Sequence, residues 1–397
     1  MQFPLPKRTK NTFAGHRRPP EQMSIVCLSQ YGGYMSLAES PAAQNKAEQN
    51  KAAESAAPGS AAPLKRLPAN HLMDTVLPVR PALIDRGSSA RIKPGMVDSV
   101  VSSGRALAMV LSHRQALVRG DSLLLTDASG LAESLGEAGS PPAMIIYLGS
   151  ALGSPDINEG TDIVLFVLEE PFEVRAEQFE RGIAGIPADA VWTGFRDVAA
   201  RLNATDAAIF VEASAIANWH ATHVHCPRCG AATLVEAGGW VRRCPADNSE
   251  HYPRTDPAII VTVVGPDDRL LLGGGGAIDA KNYSTLAGFV EPGESLEQAV
   301  VREIQEEVGV RITATQYLGS QSWPFPASLM LGFTARTPDT EATPDGVEVT
   351  RARWFSRAEL QDAVLSGEIV ISSRLSIARS LIEHWYGGVI QDRPADE

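Results

Sequence analysis

Three glutamates in one short segment have a spacing that could support metal chemistry. Glu303, Glu306 and Glu307 stand at positions i, i+3 and i+4, so on a helix they share one face. Clustered carboxylates raise each other's pKa unless cations neutralise them. Oxygen ligands suit Mg²⁺ or Mn²⁺, which hold a diphosphate, polarise phosphorus and activate water. The spacing therefore predicts a metal-dependent site on a helix from about 295 to 308.

The loop before this helix supports the same prediction. It runs from Gly288 to Glu294 and carries two glycines, and its fixed spacing argues against the alternative of a merely solvated acidic face. Arg302 lies one residue before Glu303, so we expect it to orient another carboxylate, such as that of Glu294.

The cysteines point to a second metal. Cys226 and Cys229 form a CxxC knuckle, and a second knuckle that begins at Cys244 would place Asp247 at the fourth ligand position. Zinc accepts thiolate and carboxylate ligands in tetrahedral sites, and a small module without an apolar core needs such a staple. A ribbon that has lost its metal is the alternative. The competing fourth ligands are His223, His225 and His251.

Composition limits the classes of protein. The chain has 397 residues, a net charge of −12 and 4 cysteines. Its length predicts two or three domains, its acidity argues against non-specific coating of nucleic acid, and its few cysteines exclude a disulfide scaffold. The sequence contains neither an apolar stretch long enough to span a membrane nor the apolar segment of a secretory signal, so we expect a cytoplasmic protein.

Elements of both types must position these residues. Positions 40–63 contain no branched aliphatic or aromatic side chain, so we expect residues 1–70 to form a disordered extension. A misplaced start codon is the alternative explanation for this segment. A polar N-cap is expected at Thr205 or Asp206. Strands are predicted at Ala106–Leu111, Ser122–Leu125, Ala143–Leu148, Ile163–Leu168, Ala258–Val264, Arg269–Leu272 and Ser284–Val290, and further helices at Ala188–Leu202, Asp206–Ala221 and Leu375–Trp385.

The segment from Gly288 to Val310 matches the Nudix box at each specified position, so the chain resembles the Nudix hydrolases. Downstream, Ser320–Met330 reads SQSWPFPASLM and resembles the SQPWPFPxS signature of the NADH pyrophosphatase branch, with Ser322 in place of a proline. The prolines keep this segment extended. A proline-rich strand end packed on the core is the alternative interpretation.

The resemblance implies an α/β fold and a substrate. It predicts an N-terminal α/β, Nudix-like domain (71–220), a zinc ribbon (221–254) and a Nudix α/β/α sandwich (255–392). It implies hydrolysis of the diphosphate of NAD(H) to NMN(H) and AMP, removal of NAD caps from RNA by the same chemistry, and a homodimer. The oligomeric state and the choice among NADH, NAD and capped RNA stay open.

The resemblance also assigns roles to residues. Glu306 would be a further metal ligand or the base. Tyr252, supplied by a partner subunit, and Phe289 would enclose the nicotinamide, with core packing as the alternative for both. The catalytic metals would be held by Glu303, Glu307, Glu348 and the carbonyl of Ala287, where a plain surface carboxylate is the alternative for Glu348. The nucleotide site would be lined by Gln321, Trp323, Phe325, Ser328 and Ala378, through hydrogen bonds from Gln321 and Ser328 and the flat faces of the two aromatic rings.

Two rival functions have specific support. One is a broader hydrolase of nucleoside diphosphates, such as ADP-ribose. The other is a non-catalytic zinc-ribbon protein that binds NAD-capped or single-stranded RNA through the basic residues Arg228, Arg242, Arg243 and Arg254. The intact set of mutually repelling glutamates disfavours the second. The glycine run Gly273–Gly276 lacks the lysine of a phosphate-binding P-loop, so we expect a flexible loop near the site.

Overall fold

The computed structural model describes residues 84–137, 141–153, 157–168, 186–187, 189–276 and 280–393. The predicted extension over residues 1–70 lies outside these ranges. Within them, no helix has both the length and the apolar character needed to cross a membrane.

An eight-stranded mixed sheet forms the first folded region. Its second strand is parallel to the seventh and antiparallel to the third, and the sixth and seventh strands are antiparallel. The strands are β1 (Ile84–Asp85), β2 (Leu107–Ser112), β3 (Gln115–Arg119), β4 (Ser122–Leu123), β5 (Thr126–Asp127), β6 (Met144–Ala151), β7 (Asp162–Val167) and β8 (Val191–Gly194).

Helices cover both faces of this sheet. They are α1 (Met96–Val101), α2 (Ala128–Glu137), α3 (Phe195–Val198) and α4 (Ala204–Thr222). Alternate side chains of β2 enter opposite cores: Met109 packs with α4 residues such as Phe210, whereas Val110 packs with Leu131 of α2. Strands buried on both faces read as continuous apolar runs, which is why the sequence predicted them well.

Two predictions for this region are wrong in part. The helix expected over 188–202 is a strand followed by one helical turn, because Trp192 pairs with Leu117 of β3 and extends the sheet. The cap of α4 is Asn203, not Thr205 or Asp206: its side-chain oxygen accepts a hydrogen bond from the Asp206 amide at 2.9 Å. For Val191–Gly194, pairing with β3 overrides the local preference for a helix.

A small three-stranded ribbon follows. Its strands are β9 (Leu234–Glu236), β10 (Val241–Arg243) and β11 (Glu250–His251), with β10 in the middle. The ribbon is attached to the first sheet by Trp240, whose indole N–H donates to the Tyr147 carbonyl at 2.7 Å.

A six-stranded mixed sheet forms the third region, and a two-stranded sheet lies beside it. The strands are β12 (Asp256–Val264), β13 (Leu270–Gly274), β14 (Asn282–Tyr283), β15 (Leu286–Phe289), β16 (Ala314–Trp323), β17 (Ser328–Arg336), β18 (Arg351–Phe355) and β19 (Val370–Ile371). β14 pairs with β19, and the other six form the larger sheet, in which β12 is parallel to β17 and antiparallel to β13 and β15. The expected loop at Gly273–Gly276 is wrong for Gly273 and Gly274, which lie in β13 and pair with β18.

Helices lie on both faces of the larger sheet as well. They are α5 (Leu296–Val308), α6 (Arg357–Ser366) and α7 (Ile377–Tyr386). The apolar side of α5, including Ile304, packs on β12 residues such as Val261, while Ile260 on the opposite face packs on Leu381 of α7. This is the predicted α/β/α sandwich, and it presents the acidic side of α5 near the ends of β15 and β18.

Candidate active site and zinc ribbon

The acidic helix begins and ends where the sequence predicts. Ser295 forms a capping box with Gln298, since each side chain bonds the other residue's backbone N–H. Gly309 ends the helix at φ 67°, a left-handed conformation that glycine adopts without strain. These two signals fix the register that brings the glutamates to one side of the helix.

Arg302 holds the loop that precedes the helix. Its Nε and Nη2 donate to the two oxygens of Glu294 at 2.6 and 2.9 Å, a bidentate pair, and Nη2 also donates to the Phe289 carbonyl at 2.8 Å. Hydrogen bonds from Arg302 and from the backbone N–H of Glu291 lower the pKa of Glu294 to about 2. The expected orienting role of Arg302 is present in the structure.

Glu306 is placed differently from the other two glutamates. Its carboxylate bonds Arg302 Nη1 at 2.9 Å, and its side chain is 60% exposed. Glu303 and Glu307 are both buried. Glu306 therefore contributes charge at the rim of the site, where it helps to raise the pKa of Glu303.

A glycine makes room for Glu303. A Cβ atom at Gly288 would overlap the carboxyl group of Glu303. Gly288 lies in β15, one residue after Ala287, so the strand and the helix approach closely at this point. Burial raises the pKa of Glu303, against the neighbouring Arg302 charge, and the charges of Glu306 and Glu348 raise it further.

Glu307 is the most perturbed acid of the site. Burial, reinforced by the charges of Glu303, Glu348 and Asp345, raises the pKa of Glu307 to about 8. Its Oε2 atom is buried and has no hydrogen-bond partner among the described residues. A buried carboxylate oxygen without a partner is costly, and a divalent cation is the ligand that would satisfy it.

Two residues that the sequence analysis missed position Glu348. Asp345 accepts hydrogen bonds from the backbone N–H groups of Val347, Glu348 and Val349 at 2.8–3.2 Å and so shapes the turn. A Cβ at Gly275 would lie 2.6 Å from the Glu348 carbonyl oxygen. The Asp345-Gly346 pair is a turn signal that could have located the first of these.

The donor set fits hard divalent cations. Glu303, Glu307 and Glu348 interact electrostatically, and Ala287 immediately precedes Gly288 on β15. The ligand atoms of these carboxylates do not all lie within 4.8 Å of one another. In the described ranges, the only group of three or more His, Cys, Asp or Glu side chains that meets this distance lies in the ribbon.

That group is the predicted zinc set. Cys226, Cys229, Cys244 and Asp247 all offer ligand atoms within 4.8 Å of one another. None of the three competing histidines belongs to the group among the described residues. Burial acts to raise the pKa of Cys226, but backbone N–H groups and the Ser249 hydroxyl lower it to about 6, which favours the thiolate that zinc binds.

The nucleotide-site predictions need correction for Gln321 and Ala378. The Gln321 amide donates to the Leu375 carbonyl at 2.7 Å and accepts from the Ile377 N–H at 2.8 Å. Ala378 is buried in a core cluster with Ile260. Both residues are buried, and their contacts serve the packing of α7 against β16.

Phe325 also faces the protein rather than a ligand. Its ring stacks on Phe195 of the first region at 5.8 Å, and the Asn218 amide donates to the Pro324 carbonyl at 2.7 Å and to the Pro326 carbonyl at 3.2 Å. These contacts pack the turn from Pro324 to Pro326 on the first region. Trp323 contacts the Phe325 ring edge-to-face and stays half-buried, as does Ser328.

Tyr252 and Phe289 are exposed, so the alternative of core packing is wrong for both. Tyr252 is 61% exposed and Phe289 57%. The Tyr252 hydroxyl donates to Glu250, and the Phe289 carbonyl is held by Arg302. Exposed aromatic rings are suited to stacking on a planar ligand.

The sequence matches two family descriptions. "NUDIX domain" matches residues 254–372 and "NADH pyrophosphatase zinc ribbon domain" matches residues 221–252. The NAD-capped RNA hydrolase NudC of Mycobacterium tuberculosis (strain ATCC 25177 / H37Ra) is 35% identical over 291 residues, which cover 71% of this chain and 86% of the relative. The NAD-capped RNA hydrolase NUDT12 of Homo sapiens is 39% identical over 197 residues, or 47% of this chain and 43% of the relative.

A solved structure is similar at lower identity. The NUDIX hydrolase from Nitrosomonas europaea shares 22% sequence identity with this chain, with a TM-score of 0.34. The match covers 42% of this chain and 94% of the solved chain. The family assignment rests on the sequence relatives and the two matched descriptions. The chain is therefore a member of the Nudix hydrolases, in the branch that carries the NADH pyrophosphatase zinc ribbon.

Proposed function

We propose that the protein is a divalent-metal-dependent diphosphatase that cleaves NAD(H) to NMN(H) and AMP and removes NAD caps from RNA. The observation that carries the proposal is the buried pair Glu303 and Glu307, in which one oxygen of Glu307 has no partner in the part of the chain that the structure describes. Groups of this kind need cations, and cations held by carboxylates bind diphosphates.

The metals would be held by Glu303, Glu307 and Glu348, with the Ala287 carbonyl as a further ligand. When bound, Mg²⁺ or Mn²⁺ would polarise the phosphorus and lower the pKa of water. Glu306 stays at the rim on Arg302, where it suits a base or an outer ligand reached by a side-chain rotation.

The choice of substrate is supported by three features. The relatives named above are NAD-capped RNA hydrolases, the matched ribbon is that of NADH pyrophosphatases, and the SQSWPFPAS turn resembles the signature of that branch. Tyr252 and Phe289 would stack on the nicotinamide, with Tyr252 supplied by a second copy of the chain in a homodimer. Of the nucleotide-site residues predicted in this signature, Trp323, Phe325 and Ser328 are half-buried and keep some exposed surface, whereas Gln321 is buried.

The zinc in the ribbon would be structural. Three thiolates and the Asp247 carboxylate complete a tetrahedral set, leaving no open position for substrate. Its role is to hold the strand segment that carries Tyr252 onto the first sheet.

Product analysis tests the proposal. The purified protein is incubated with Mg²⁺ or Mn²⁺ and with NAD, NADH, ADP-ribose and NAD-capped RNA in parallel. We expect AMP and NMN(H) from NAD(H) and a 5′-monophosphate end on the RNA. Cleavage of ADP-ribose without release of AMP from NAD(H) would favour the broader hydrolase instead, and binding of capped RNA without any product would favour the non-catalytic binder.

A further inference from the structure

A second cavity lies away from the acidic helix. It has a volume of about 530 Å³ and is formed by the β2–β3 hairpin, the end of α4, the ribbon and the turn at Pro326. None of its described lining residues belongs to α5. Its walls include apolar side chains such as Leu111, Met144 and Val167, and its size is in the range of small-molecule sites.

The charge in this cavity is of one sign. Arg114 and Arg242 line it, and no acidic side chain is among its described lining residues. This is unusual in a chain with a net charge of −12. A concave site with only cationic charge concentrates anions.

Arg242 is a buried charge without a carboxylate. It is 5% exposed, and its donors go to the Thr233 hydroxyl at 2.7 Å, to His220 Nδ1 at 2.8 Å and to the Thr233 carbonyl at 3.4 Å. No Asp or Glu of the described ranges forms an ion pair with it. Buried guanidinium groups are normally paired, because an isolated buried charge is costly.

His220 does not supply the missing charge. Its Nε2 lies 2.7 Å from the Gly239 carbonyl, so this nitrogen donates and Nδ1 accepts from Arg242. Burial lowers the pKa of His220 to about 4, which keeps the ring neutral. A guanidinium has five N–H donors, of which three are used, so each terminal nitrogen of Arg242 retains one N–H without a partner in the described chain.

The hairpin that carries Arg114 is held in an unusual conformation. His113 and Arg114 have φ values of 47° and 66°, at two loop positions that normally prefer Asn-Gly. Strained residues of this kind persist where the surroundings or a ligand require them. Here they bring Arg114 to the same cavity as Arg242.

We propose that this cavity binds a small phosphate monoester, with the phosphate on Arg242 and Arg114 and the body of the molecule on the apolar walls. Two guanidinium groups match the charge of a phosphate monoester, about −1.5 to −2 at neutral pH, better than that of a single carboxylate. The free N–H pair of Arg242 matches phosphate geometry. Pro326 also lines the cavity, so the ligand would contact the turn within the SQSWPFPAS segment.

Calorimetry on the full-length, zinc-loaded protein without added Mg²⁺ or Mn²⁺ tests this, with AMP, inorganic phosphate and adenosine as probes. The first variant is Arg114→Asn, because asparagine tolerates the left-handed backbone. The second is Ala221→Phe, which fills the cavity from an exposed position of α4. Arg105→Asn removes an exposed charge of the same region outside the cavity and is the matched control.

We expect AMP to bind more tightly than phosphate or adenosine. Arg114→Asn should weaken AMP about tenfold, the effect of one charge-assisted hydrogen bond, Ala221→Phe should abolish binding, and the control should change nothing. A Phe289→Ala variant should still bind AMP, which separates this cavity from the acidic site. The proposal is overturned if AMP does not bind, if both cavity variants leave its affinity unchanged, or if adenosine binds as tightly as AMP.

Discussion

The two mixed sheets of this chain share one pairing plan, but the helices that follow β5 and β15 differ in how far their glutamates are buried. β2 and β12 each have a parallel neighbour, β7 and β17, and each parallel neighbour has an antiparallel partner that precedes it. Both of those antiparallel pairs shift register at a tyrosine and a glycine, Tyr147/Gly149 and Tyr317/Gly319. A helix follows β5 in one sheet and β15 in the other.

The helices in these equivalent positions carry glutamates at the same spacing. Glu133 and Glu137 stand at i and i+4 in α2, as Glu303 and Glu307 do in α5. The first pair is exposed and the second is buried. Spacing alone therefore does not make a metal site; close approach to a strand glycine and burial do, since these perturb the pKa values.

The largest expected effect separates the two helices by activity. Glu307→Gln should lower the rate of NAD hydrolysis by about 10²–10³-fold, because a group that stabilises transition-state charge is lost. Glu137→Gln, at the equivalent position of α2, should leave the rate unchanged. Steady-state kinetics with Mn²⁺ or Mg²⁺ measure both, and equal losses in the two variants would contradict the comparison.

A smaller effect should follow from closing the space beside Glu303. In Gly288→Ala the new methyl group overlaps the Glu303 carboxyl, so the carboxylate must move. A displacement of about 1 Å costs about 10²-fold in rate. Gly136→Ala in α2 meets no atom within 4 Å and is the control. If Gly288→Ala retains full activity, Glu303 is not a fixed ligand.

The ribbon offers a way to uncouple the two sheets. Asp247→Ala should lose zinc and lower the thermal stability, because the ribbon has no apolar core of its own. Asp247→Cys should retain zinc, since it supplies a fourth thiolate. Elemental analysis and calorimetry check this. We expect a single unfolding transition in the wild type and two in Asp247→Ala; zinc retained by the alanine variant would exclude Asp247 as a ligand.

The last expected effect is on the pH dependence of stability without divalent metals, not on the rate of hydrolysis. The pKa of Glu307 is raised from 4.5 to about 8 in the folded state, so the folded protein binds the extra proton between these values. Its contribution to stability is complete below pH 4.5 and is lost as the pH rises through about 8. Urea unfolding between pH 5 and 8 should show this decline, and Glu307→Gln or added Mn²⁺ should flatten it, whereas Glu137→Gln should not.

Local signals in the sequence predicted much of this site, and contacts made by distant segments account for the rest. The bounds of the acidic helix, the Arg302–Glu294 pair and the cysteine knuckles depend on residues that lie near one another in the chain. The hydrogen-bond partner of a buried amide cannot be found from near neighbours, because Gln321 donates to a segment more than 50 positions away.

The same reason explains the other differences. Val191–Gly194 is a strand because it lies against β3, about 75 residues earlier in the chain, and no local pattern encodes that edge. The glycine run predicts a flexible loop at Gly275, whereas in the structure this glycine makes room for the backbone at Glu348. Aromatic residues in the substrate signature could not be assigned to a ligand or to a core until their partners were known.

The stacking of Phe325 on Phe195 has a consequence for how this enzyme can change over time. The first sheet bears no acidic cluster of its own in the part described, yet Phe195 and Asn218 hold the turn that ends the substrate signature. Substitutions at Phe195 or Asn218, outside the matched NUDIX domain, are therefore expected to disturb this turn. A fragment that begins at residue 254 would keep Glu303, Glu306, Glu307 and Glu348 but lose the support of that turn. The first region and the Nudix domain must therefore evolve, and be engineered, together.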